Sequence, residues 1–483
     1  MSYSIKEVFR KIENVPENIK ATVVFGVASF SISGLKYIMT PILTRLLTTS
    51  EYGTVGIYNS WLSIVQVIMS LTLMYPGILN VGLYEHKDNR WKYLSSMEGI
   101  ITVVSLCTIL FYVFAHRLIN DIIGIPSSLV ILMLITCLFQ PASNLWTAKQ
   151  RYEYKYKITF IVTVGTALLA QICSIVYVII KKDTGANLAE ARLWSAGLVN
   201  ILCAVVIYVY ILAKGKKFYD SPLWKETLIL AIPLIPHYLS HVLLNGTDKI
   251  MIGKMIGADK AGIYNLAAVL SSIGILFWRA LLTTFSPFVN TKIGERKFDE
   301  IRRAIKPLWI FTGGLCIVGA LLSPEIIAVF GSKEYLEGIY VVPPVVAGVF
   351  TYTMYDAFAA VSFFHKKSVN IMIASVTAAM SNIVMNYFGI QVFGFIAAGY
   401  TTLISHLILI LMHYINIRKI EKERIYDGKL SIISLLVVTI ACSACNLLYG
   451  GPSFIRYILA LVVAVYLFAK RRMLYTALAN MKI

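Results

Sequence analysis

Long apolar segments recur along almost the whole chain. Within 483 residues, runs of mostly apolar residues follow one another with short polar segments between them. A run of about 20 such residues is long enough to cross a bilayer as a helix, and a helix satisfies its own backbone hydrogen bonds in lipid. The composition agrees, because 58% of the residues are hydrophobic and only 14% are charged. The sequence therefore predicts an all-α integral membrane protein.

Fourteen segments are long enough to be transmembrane helices. They are 21–46, 55–82, 95–115, 128–148, 158–180, 193–213, 227–253, 262–289, 307–331, 340–364, 370–390, 393–416, 431–449 and 455–469. The longest polar connectors, 290–306 and 417–430, are expected to face the cytoplasm and to contact anionic lipid headgroups. No segment between the spans is long enough for a soluble catalytic domain.

The basic residues are distributed unevenly between the two sides of the predicted membrane. The N-terminus, the even-numbered loops and the C-terminal tail hold 32 Lys and Arg, whereas the odd-numbered loops with the adjoining span ends hold 9. Because cytoplasmic loops are enriched in basic residues, both termini are expected in the cytoplasm, with 1–20 as an N-terminal segment without a cleavable signal and 470–483 as a tail. The net charge of +19 then reflects topology and not nucleic-acid binding.

The cysteines are expected to be small buried hydrophobic residues. All seven fall in apolar runs, and only two of them form a C-x-x-C pair, which lies inside an apolar helix. No disulfide, metal site or cofactor is implied. The seven are Cys107, Cys137, Cys173, Cys203, Cys316, Cys442 and Cys445.

Two similar segments follow the first and the seventh predicted spans. The first is "TRLLTTSEYGTVGIYN" (44–59) and the second is "GKMIGADKAGIYN" (253–265). Aligning Gly53 with Gly262 matches the preceding basic residues, whereas aligning the shared "GIYN" needs a shift of three residues. An even separation of six spans predicts two parallel six-helix lobes, 21–213 and 227–416, around a central cleft. Residues 431–469 would then be two extra C-terminal helices.

The chain resembles the polysaccharide-transporter branch of the multidrug/oligosaccharidyl-lipid/polysaccharide (MOP) exporter superfamily. The motifs that carry the resemblance are "RLLTTSEYG" and "MIGADKAGIYNLA", and the likeness is to bacterial flippases of O-antigen and capsule repeat units. It implies a non-enzymatic carrier in the bacterial inner membrane, which moves a polyprenyl-pyrophosphate-linked oligosaccharide outward by alternating access. The implied partners are that lipid-linked oligosaccharide, membrane lipids, a polysaccharide polymerase and glycosyltransferases, and the expected state is a monomer.

Polar residues repeat at helical spacing in corresponding helices of the two repeats. Residues three or four apart share a helix face, and intramembrane polar residues are expected to face a cavity. Any single serine is better explained as a contact between helices. The stripes comprise Ser29, Ser33, Lys36, Thr40 and Thr44; Asn59, Ser63, Gln66 and Ser70; His237, His241, Asn245 and Asp248; and Asn265, Ser272, Arg279 and Ser286. The residues predicted to line the cleft are Ser33, Thr40, Asn59, Gln66 and Asn245.

Basic side chains within the spans predict an anionic cargo. Lys36, Lys249 and Arg279 each cost about 2.5–3.5 kcal/mol to insert near the bilayer centre, so a function is expected to retain them. Together with Arg45 and Lys254 at the outer mouth, they form a predicted cationic cleft that pairs with the pyrophosphate.

Four ionisable residues in the spans are candidates for coupling transport to a proton or Na⁺. They are His237, His241, Asp248 and Asp356, and the sequence does not choose among them. Prolines interrupt the first and seventh spans at Pro41, Pro233 and Pro236, as static kinks or as hinges.

Three other functions compete with the flippase interpretation. A multidrug–cation antiporter of the same superfamily would need buried acids for cationic drugs, and the first span has Lys36 and no acid. A lipid II flippase is a further alternative, although the first helix lacks a cluster of arginines. A membrane polymerase or ligase would need a long outward loop with paired acids, and the outward loops are short.

Overall fold

The computed structural model describes residues 16–481, which are almost entirely helical. This range contains seventeen α-helices and four short 3-10 segments, and no β-strand. The α-helices of the first half are α1 Glu17–Leu46, α2 Thr49–Ser70, α3 Pro76–Glu85, α4 Arg90–Ile123, α5 Ser127–Tyr152, α6 Tyr156–Lys181, α7 Leu188–Gly215, α8 Ser221–Ala231 and α9 Ile235–Met255. Those of the second half are α10 Ala258–Gly294, α11 Phe298–Leu321, α12 Ser323–Phe330, α13 Val342–Phe364, α14 Ser368–Phe393, α15 Ala397–Ile420, α16 Gly428–Ala444 and α17 Ser453–Asn480. The predicted all-α class is confirmed.

Thirteen of the fourteen predicted spans correspond to helices long and apolar enough to cross a membrane within the described residues. The exception is the second span, 55–82, because α2 ends at Ser70 and α3 begins only at Pro76. Leu71 and Thr72 between them have positive φ angles of 48° and 63°, which end the helix. The apolar pattern continues across this helix break, so the sequence did not predict it.

Several helix ends differ from the predicted span limits. Span seven (227–253) consists of α8 and α9 separated by a 3-10 turn that contains Pro233, whose ring cannot continue the helical hydrogen bonds. Span nine (307–331) is the end of α11 followed by the short helix α12. The predicted tail 470–483 is helical as far as Asn480. Residues 1–15 of the predicted N-terminal segment lie outside the described residues.

The chain divides into two compact units. The first comprises Met1–Met39 and Leu62–Ile235, and the second comprises Thr40–Trp61 and Pro236–Ile483. The end of α1 and the start of α2 therefore pack with the second half of the chain, as do α16 and α17. The predicted lobe limits, 21–213 and 227–416, stay a prediction.

Each unit has its own apolar core. In the first unit, Leu73, Leu94 and Leu145 are completely buried where α3, α4 and α5 meet. In the second unit, α13 is the most buried span and packs against α10, α11, α15 and α16. The last helix is fixed to this unit by an ion pair between Arg456 of α17 and Glu325 of α12, at 2.8 Å. In soluble proteins, burial of a large apolar side chain contributes about 1.5–3 kcal/mol. In lipid, such side chains stabilise the fold mainly through close packing.

The two predicted cytoplasmic connectors pair with each other. Most of 290–306 is helical, since α10 extends to Gly294 and α11 begins at Phe298. Between these helices, Arg296 lies 3.2 Å from the carboxylate of Glu421 and 3.5 Å from that of Glu423, both in the second connector. These carboxylates raise the pKa of the Arg296 guanidinium. Part of the charge predicted to meet lipid headgroups is therefore used within the protein.

The two similar motifs touch each other inside the second unit. The helix ends follow the alignment of Gly53 with Gly262, because α2 begins at Thr49 and α10 begins 209 residues later at Ala258. A Cβ atom added to Gly53 would lie 1.7 Å from the carbonyl oxygen of Ala258, and one added to Gly262 would lie 2.0 Å from that of Thr49. The contact is reciprocal and requires glycine on both helices, which explains why both motifs contain it.

The cysteine prediction is right for part of the set. All seven are free thiols, and Cys137, Cys316, Cys442 and Cys445 are buried. Cys173 and Cys203 are only half-buried and Cys107 is exposed, because an apolar side chain of a membrane helix need not face the protein interior.

Candidate functional site

Asp248 of α9 accepts hydrogen bonds from three uncharged side chains of the second unit. Its Oδ2 accepts from the Tyr264 hydroxyl at 2.5 Å and from the Thr402 hydroxyl at 2.8 Å, and its Oδ1 accepts from Asn386 Nδ2 at 2.7 Å. Only 3% of Asp248 is exposed. We call these four residues the carboxylate network. Donors aimed at both oxygens offset much of the cost of burying a carboxylate.

Further polar side chains support the network from α14 and α15. Asn382 donates to the Thr402 hydroxyl at 2.9 Å and accepts from Asn386 at 3.2 Å, while Thr401 donates to Asn386 Oδ1. Four helices thus bring a carboxylate, amide oxygens and hydroxyl oxygens together in a buried place. Such oxygen ligands suit a small hard cation, and the carboxylate alone suits a proton.

A second polar region of the same unit contains four histidines, which we call the imidazole cluster. His237 and His241 lie on α9, and His406 and His413 lie on α15. His241 is close enough to both His237 and His406 for electrostatic interaction, and His413 is close to His237. The His237 Nδ1 is 3.0 Å from the Ser375 hydroxyl. His413 is completely buried, and neither of its ring nitrogens has a hydrogen-bond partner among the described residues.

Arg279 lies beside the imidazole cluster. Its charge acts on His241, on Asp356 and on the Tyr352 hydroxyl. Asp356 also accepts a 2.9 Å hydrogen bond from the indole N–H of Trp278, the residue before Arg279 on α10. The structure therefore brings together three side chains that the sequence predicted separately, namely Arg279, His241 and Asp356.

The two predicted lysines occupy different surroundings. Lys36 is exposed on α1 of the first unit, where the charge of Arg192 on α7 acts on it. Lys249 is half-buried on α9 of the second unit and acts electrostatically on its neighbour Asp248. The side-chain hydrogen bonds to the Asp248 carboxylate come from the other residues of the carboxylate network.

The predicted residues at the outer mouth differ in their contacts. Arg45 donates to the carbonyl oxygens of Pro41 and Val329, both at 2.9 Å, so its guanidinium joins the last turn of α1 to the end of α12. Lys254 is exposed in the last turn of α9. Arg45 thus has a structural task that the sequence did not reveal, in addition to its predicted role.

The five uncharged residues predicted to line a cleft are not alike. Asn59 and Asn245 are exposed, Ser33 and Gln66 are half-buried, and Thr40 is buried. Asn245 donates to the carbonyl oxygen of His241 at 2.7 Å. Exposure alone does not assign these side chains to a site, and their role stays a prediction.

One group of potential metal ligands lies outside these regions. Glu85, His86 and Glu226 of the first unit place their ligand atoms within 4.8 Å of one another. His86 Nε2 lies 3.5 Å from the Glu226 carboxylate, and its ring stacks on Tyr93 at 4.9 Å. Both carboxylates are exposed, so a surface ion pair explains the arrangement.

Several charged or polar residues within the spans escaped the sequence analysis. Glu98 is a completely buried acid within the predicted third span, in addition to the predicted acids Asp248 and Asp356. Asn382 and Asn386 are spaced four apart on α14, so the same periodicity argument would have found them. His406 and His413 are seven apart on α15 and would have been found in the same way.

Two family models match parts of the sequence. The sequence model described as "polysaccharide biosynthesis protein" matches residues 19–288, and that of the MatE family matches residues 233–388. The Lsg locus protein 1 of Haemophilus influenzae is 22% identical over 58% of this chain and 67% of its own length. The probable multidrug resistance protein NorM of Mannheimia succiniciproducens is 24% identical over 39% of this chain and 43% of its own length.

Solved structures show the same fold. The lipid II flippase MurJ in an inward closed conformation superposes with a TM-score of 0.67 and 16% identity, covering 93% of this chain and 99% of that chain. An inward-facing multidrug resistance MATE transporter of the MOP superfamily superposes with a TM-score of 0.59 and 12% identity, covering 84% of this chain and 99% of that chain. Since the first sequence model matches more than half of the chain, the chain belongs to the polysaccharide biosynthesis protein family.

Proposed function

We propose that the protein flips polyprenyl-pyrophosphate-linked oligosaccharide repeat units from the cytoplasmic to the outer leaflet for O-antigen, capsule or exopolysaccharide synthesis. The observation that carries this proposal is the cationic excess within the spans. Lys36, Lys249 and Arg279 are retained in apolar helices, and basic side chains are the natural partners of a pyrophosphate. The family membership supports a role in polysaccharide biosynthesis.

Movement of an anion out of the cell is favoured by the membrane potential. About 2.3 kcal/mol per charge is released for each 100 mV when an anion leaves a negative interior. A coupled cation would add to this, and the carboxylate network around Asp248 is the best-formed candidate to carry one. The imidazole cluster with Asp356 is the alternative carrier of a proton.

The cellular setting forms part of the same proposal. The protein works in the bacterial inner membrane as a monomer with both termini in the cytoplasm, next to a polysaccharide polymerase and glycosyltransferases. The distribution of Lys and Arg supports this orientation. Reporter fusions active only in the cytoplasm, placed after Asn480 and in the 182–187 loop, test it. An active reporter in the loop would contradict it.

Charge substitutions at Lys36 test the cargo. Lys36→Glu is expected to abolish surface polysaccharide, whereas Lys36→Arg is expected to retain part of the export because it preserves the charge but changes the donor geometry. Surface polymer is measured by immunoblotting of cells with matched protein levels. Lys182→Glu, at an exposed position after α6, is the matched control and is expected to export normally. Normal export by Lys36→Glu would remove this residue from the site.

The multidrug antiporter is the second candidate, and two observations favour it. The MatE match covers the helices that hold Asp248, and that acid is buried within the second unit. Resistance to cationic dyes, measured in the same strains, separates the two functions. Dye export that is lost in Lys249→Ala and Arg279→Ala, with surface polymer unchanged, would establish the antiporter. A lipid II flippase is distinguished by the dependence of cell-wall synthesis on the protein.

A further inference from the structure

A groove in the first unit is lined by apolar side chains, by uncharged polar side chains and by one arginine. It contains two adjoining cavities of about 360 and 640 Å³, which share Asn144, Thr147 and Arg151 of α5. Volumes of this size are typical of sites for small ligands. Every residue that lines the two cavities belongs to the first unit, so the groove is complete without the rest of the chain.

The lining residues of α5 form one continuous stripe. Gln140, Ser143, Asn144, Thr147 and Arg151 follow one another at steps of three or four residues or side by side, so they share one face of the helix. At a rise of about 1.5 Å per residue, the stripe extends roughly 16 Å along the helix. Arg151 lies at its end, in the last turn of α5, which the distribution of basic residues assigns to the cytoplasmic side.

Within residues 16–481, no acidic side chain pairs with Arg151, although Glu153 is only two residues away. The carboxylate of Glu153 is already paired with Lys149 at 2.6 Å, with Lys155 at 2.9 Å and with Arg90 at 3.4 Å. Among residues 16–481, the recorded contact of the Arg151 guanidinium is with the face of the Phe25 ring, 5.7 Å from its centre. The positive charge of Arg151 is therefore available to an anion in the groove.

The opposite walls present hydrogen-bond acceptors. The hydroxyls of Thr163 and Ser29 donate to the helix carbonyls of Thr159 and Phe25, at 2.8 and 2.9 Å. The amide of Asn200 donates to the carbonyl of Ala196 at 2.9 Å. Each of these groups donates a hydrogen to a carbonyl of its own helix. The lone pairs of its oxygen can therefore accept hydrogen bonds from other partners. A ligand rich in hydroxyl donors complements such a wall.

We propose that this groove is the initial docking site for the headgroup of the cargo, with the diphosphate at Arg151 and the first sugar along the stripe of α5. The proposal rests on the proposed function and adds a location to it. The diphosphate enters at the cytoplasmic end, where Arg151 supplies two parallel N–H donors. The sugar hydroxyls then donate to the oxygens of the amide and hydroxyl stripe, while the polyprenyl chain stays in lipid.

The test measures binding to the full-length protein in phosphatidylcholine nanodiscs. The probes are a polyprenyl diphosphate that carries one sugar, the same polyprenyl diphosphate without sugar, and inorganic pyrophosphate. Arg151→Gln is expected to weaken both lipid probes about tenfold or more, because a charge-assisted hydrogen bond contributes roughly 1.5–3 kcal/mol. Arg471→Gln is the matched control, since Arg471 also lies over a phenylalanine ring, in the second half of its helix, but outside the groove. It is expected to bind as the wild type does.

A second variant tests the sugar half of the proposal. Thr147→Val is expected to weaken the sugar-bearing probe about fivefold and to leave the sugar-free lipid unchanged, as befits the loss of one hydrogen bond. Thr108→Val on α4 is its control, because Thr108 is half-buried and donates to its own helix at the carbonyl of Val104. Equal weakening of both lipid probes by Thr147→Val would contradict sugar contact.

The possible outcomes distinguish an error in the docking site from an error in the proposed function. Wild-type affinity of Arg151→Gln for both lipid probes would overturn the docking site while leaving the flippase proposal intact. Failure of the wild-type protein to bind either lipid probe would overturn the function itself. Equal affinity for inorganic pyrophosphate would identify a soluble anion as the ligand and overturn the lipid headgroup. If Arg151→Gln melts at a lower temperature than the wild type, Arg151→Lys is tested in its place. Lysine keeps the positive charge but lacks the paired N–H donors of the guanidinium, so this variant is expected to bind with intermediate affinity.

Discussion

The two units differ in the partners that they provide for charged side chains. In the second unit, Asp248 is surrounded by three donors that hold its carboxylate. In the first unit, Glu98 is completely buried and neither carboxyl oxygen has a donor among the described residues, while the groove holds the unpaired cation Arg151. A buried carboxylate without partners is costly, so Glu98 is best accommodated as a neutral acid. In the functions proposed above, the second unit would exchange a cation and the first would bind an anion.

The largest effect is expected at Asp248. Asp248→Asn removes the charge but keeps the shape, and it leaves donors facing an amide. The amide keeps one acceptor oxygen, but its NH2 group faces the donors of the other oxygen and it has no charge with which to bind a cation, so export is expected to fall about tenfold or more. Surface polymer at matched protein levels measures it. Asp259→Asn, at an exposed position in the first turn of α10, is the control. Full export by Asp248→Asn would exclude the carboxylate network from coupling.

Glycine substitutions compare packing in the two units. Gly262→Ala is expected to lower the melting temperature clearly, because its Cβ would overlap the backbone of Thr49, and overpacking costs about 1–3 kcal/mol or more. Gly34→Ala in α1 is the matched change in the first unit, since among the described residues no atom outside the adjoining helix backbone lies within 4 Å of its added Cβ. It is expected to leave the melting temperature unchanged or to raise it, because alanine favours a helix by about 1 kcal/mol over glycine. An unchanged melting temperature of Gly262→Ala would refute the close helix contact.

A smaller, pH-dependent effect is expected from Glu153, which lies after the end of α5. Burial raises the pKa of its carboxyl, but the hydrogen bonds from Lys149 and Lys155 outweigh this and hold the pKa below its ordinary value. A depressed pKa stabilises the fold above the unfolded-state value of about 4.3, and the contribution is lost as the pH falls through the lower folded value. The melting temperature of the wild type should therefore fall on acidification more steeply than that of Glu153→Gln. If the melting temperatures of the two proteins changed with pH in parallel, Lys149, Lys155 and Arg90 would not stabilise the ionised Glu153 carboxylate.

The smallest effect is expected at Glu98. Glu98→Gln exchanges one neutral polar side chain for another, so export and melting temperature are expected to stay at wild-type values. Glu98→Met removes the unpaired oxygens and is expected to raise the stability by about 1 kcal/mol. Loss of export in Glu98→Gln, with normal melting, would show that the first unit also carries a coupled proton and would remove the contrast between the two units.

The sequence determined the class of the protein and most of its helices. Apolar runs of sufficient length can only be satisfied as membrane helices, and this physical constraint located thirteen of the fourteen predicted spans. Motif similarity also placed Gly53 and Gly262 in equivalent positions, because a close contact between helices tolerates no side chain there. Intramembrane charges such as Lys36 and Arg279 were visible because their insertion is costly in any fold.

Only the tertiary structure decided which polar residues act together. Hydropathy does not record backbone dihedral angles, so it joined α2 to α3 across Leu71 and Thr72. It also could not show that Asp248 meets Asn386 and Thr402, which are 138 and 154 residues away in the chain. Nor could composition show that Glu153 is paired with other cations and leaves Arg151 to the groove. A side chain's partners depend on which helix faces meet, and that is determined by packing between distant segments rather than by local pattern.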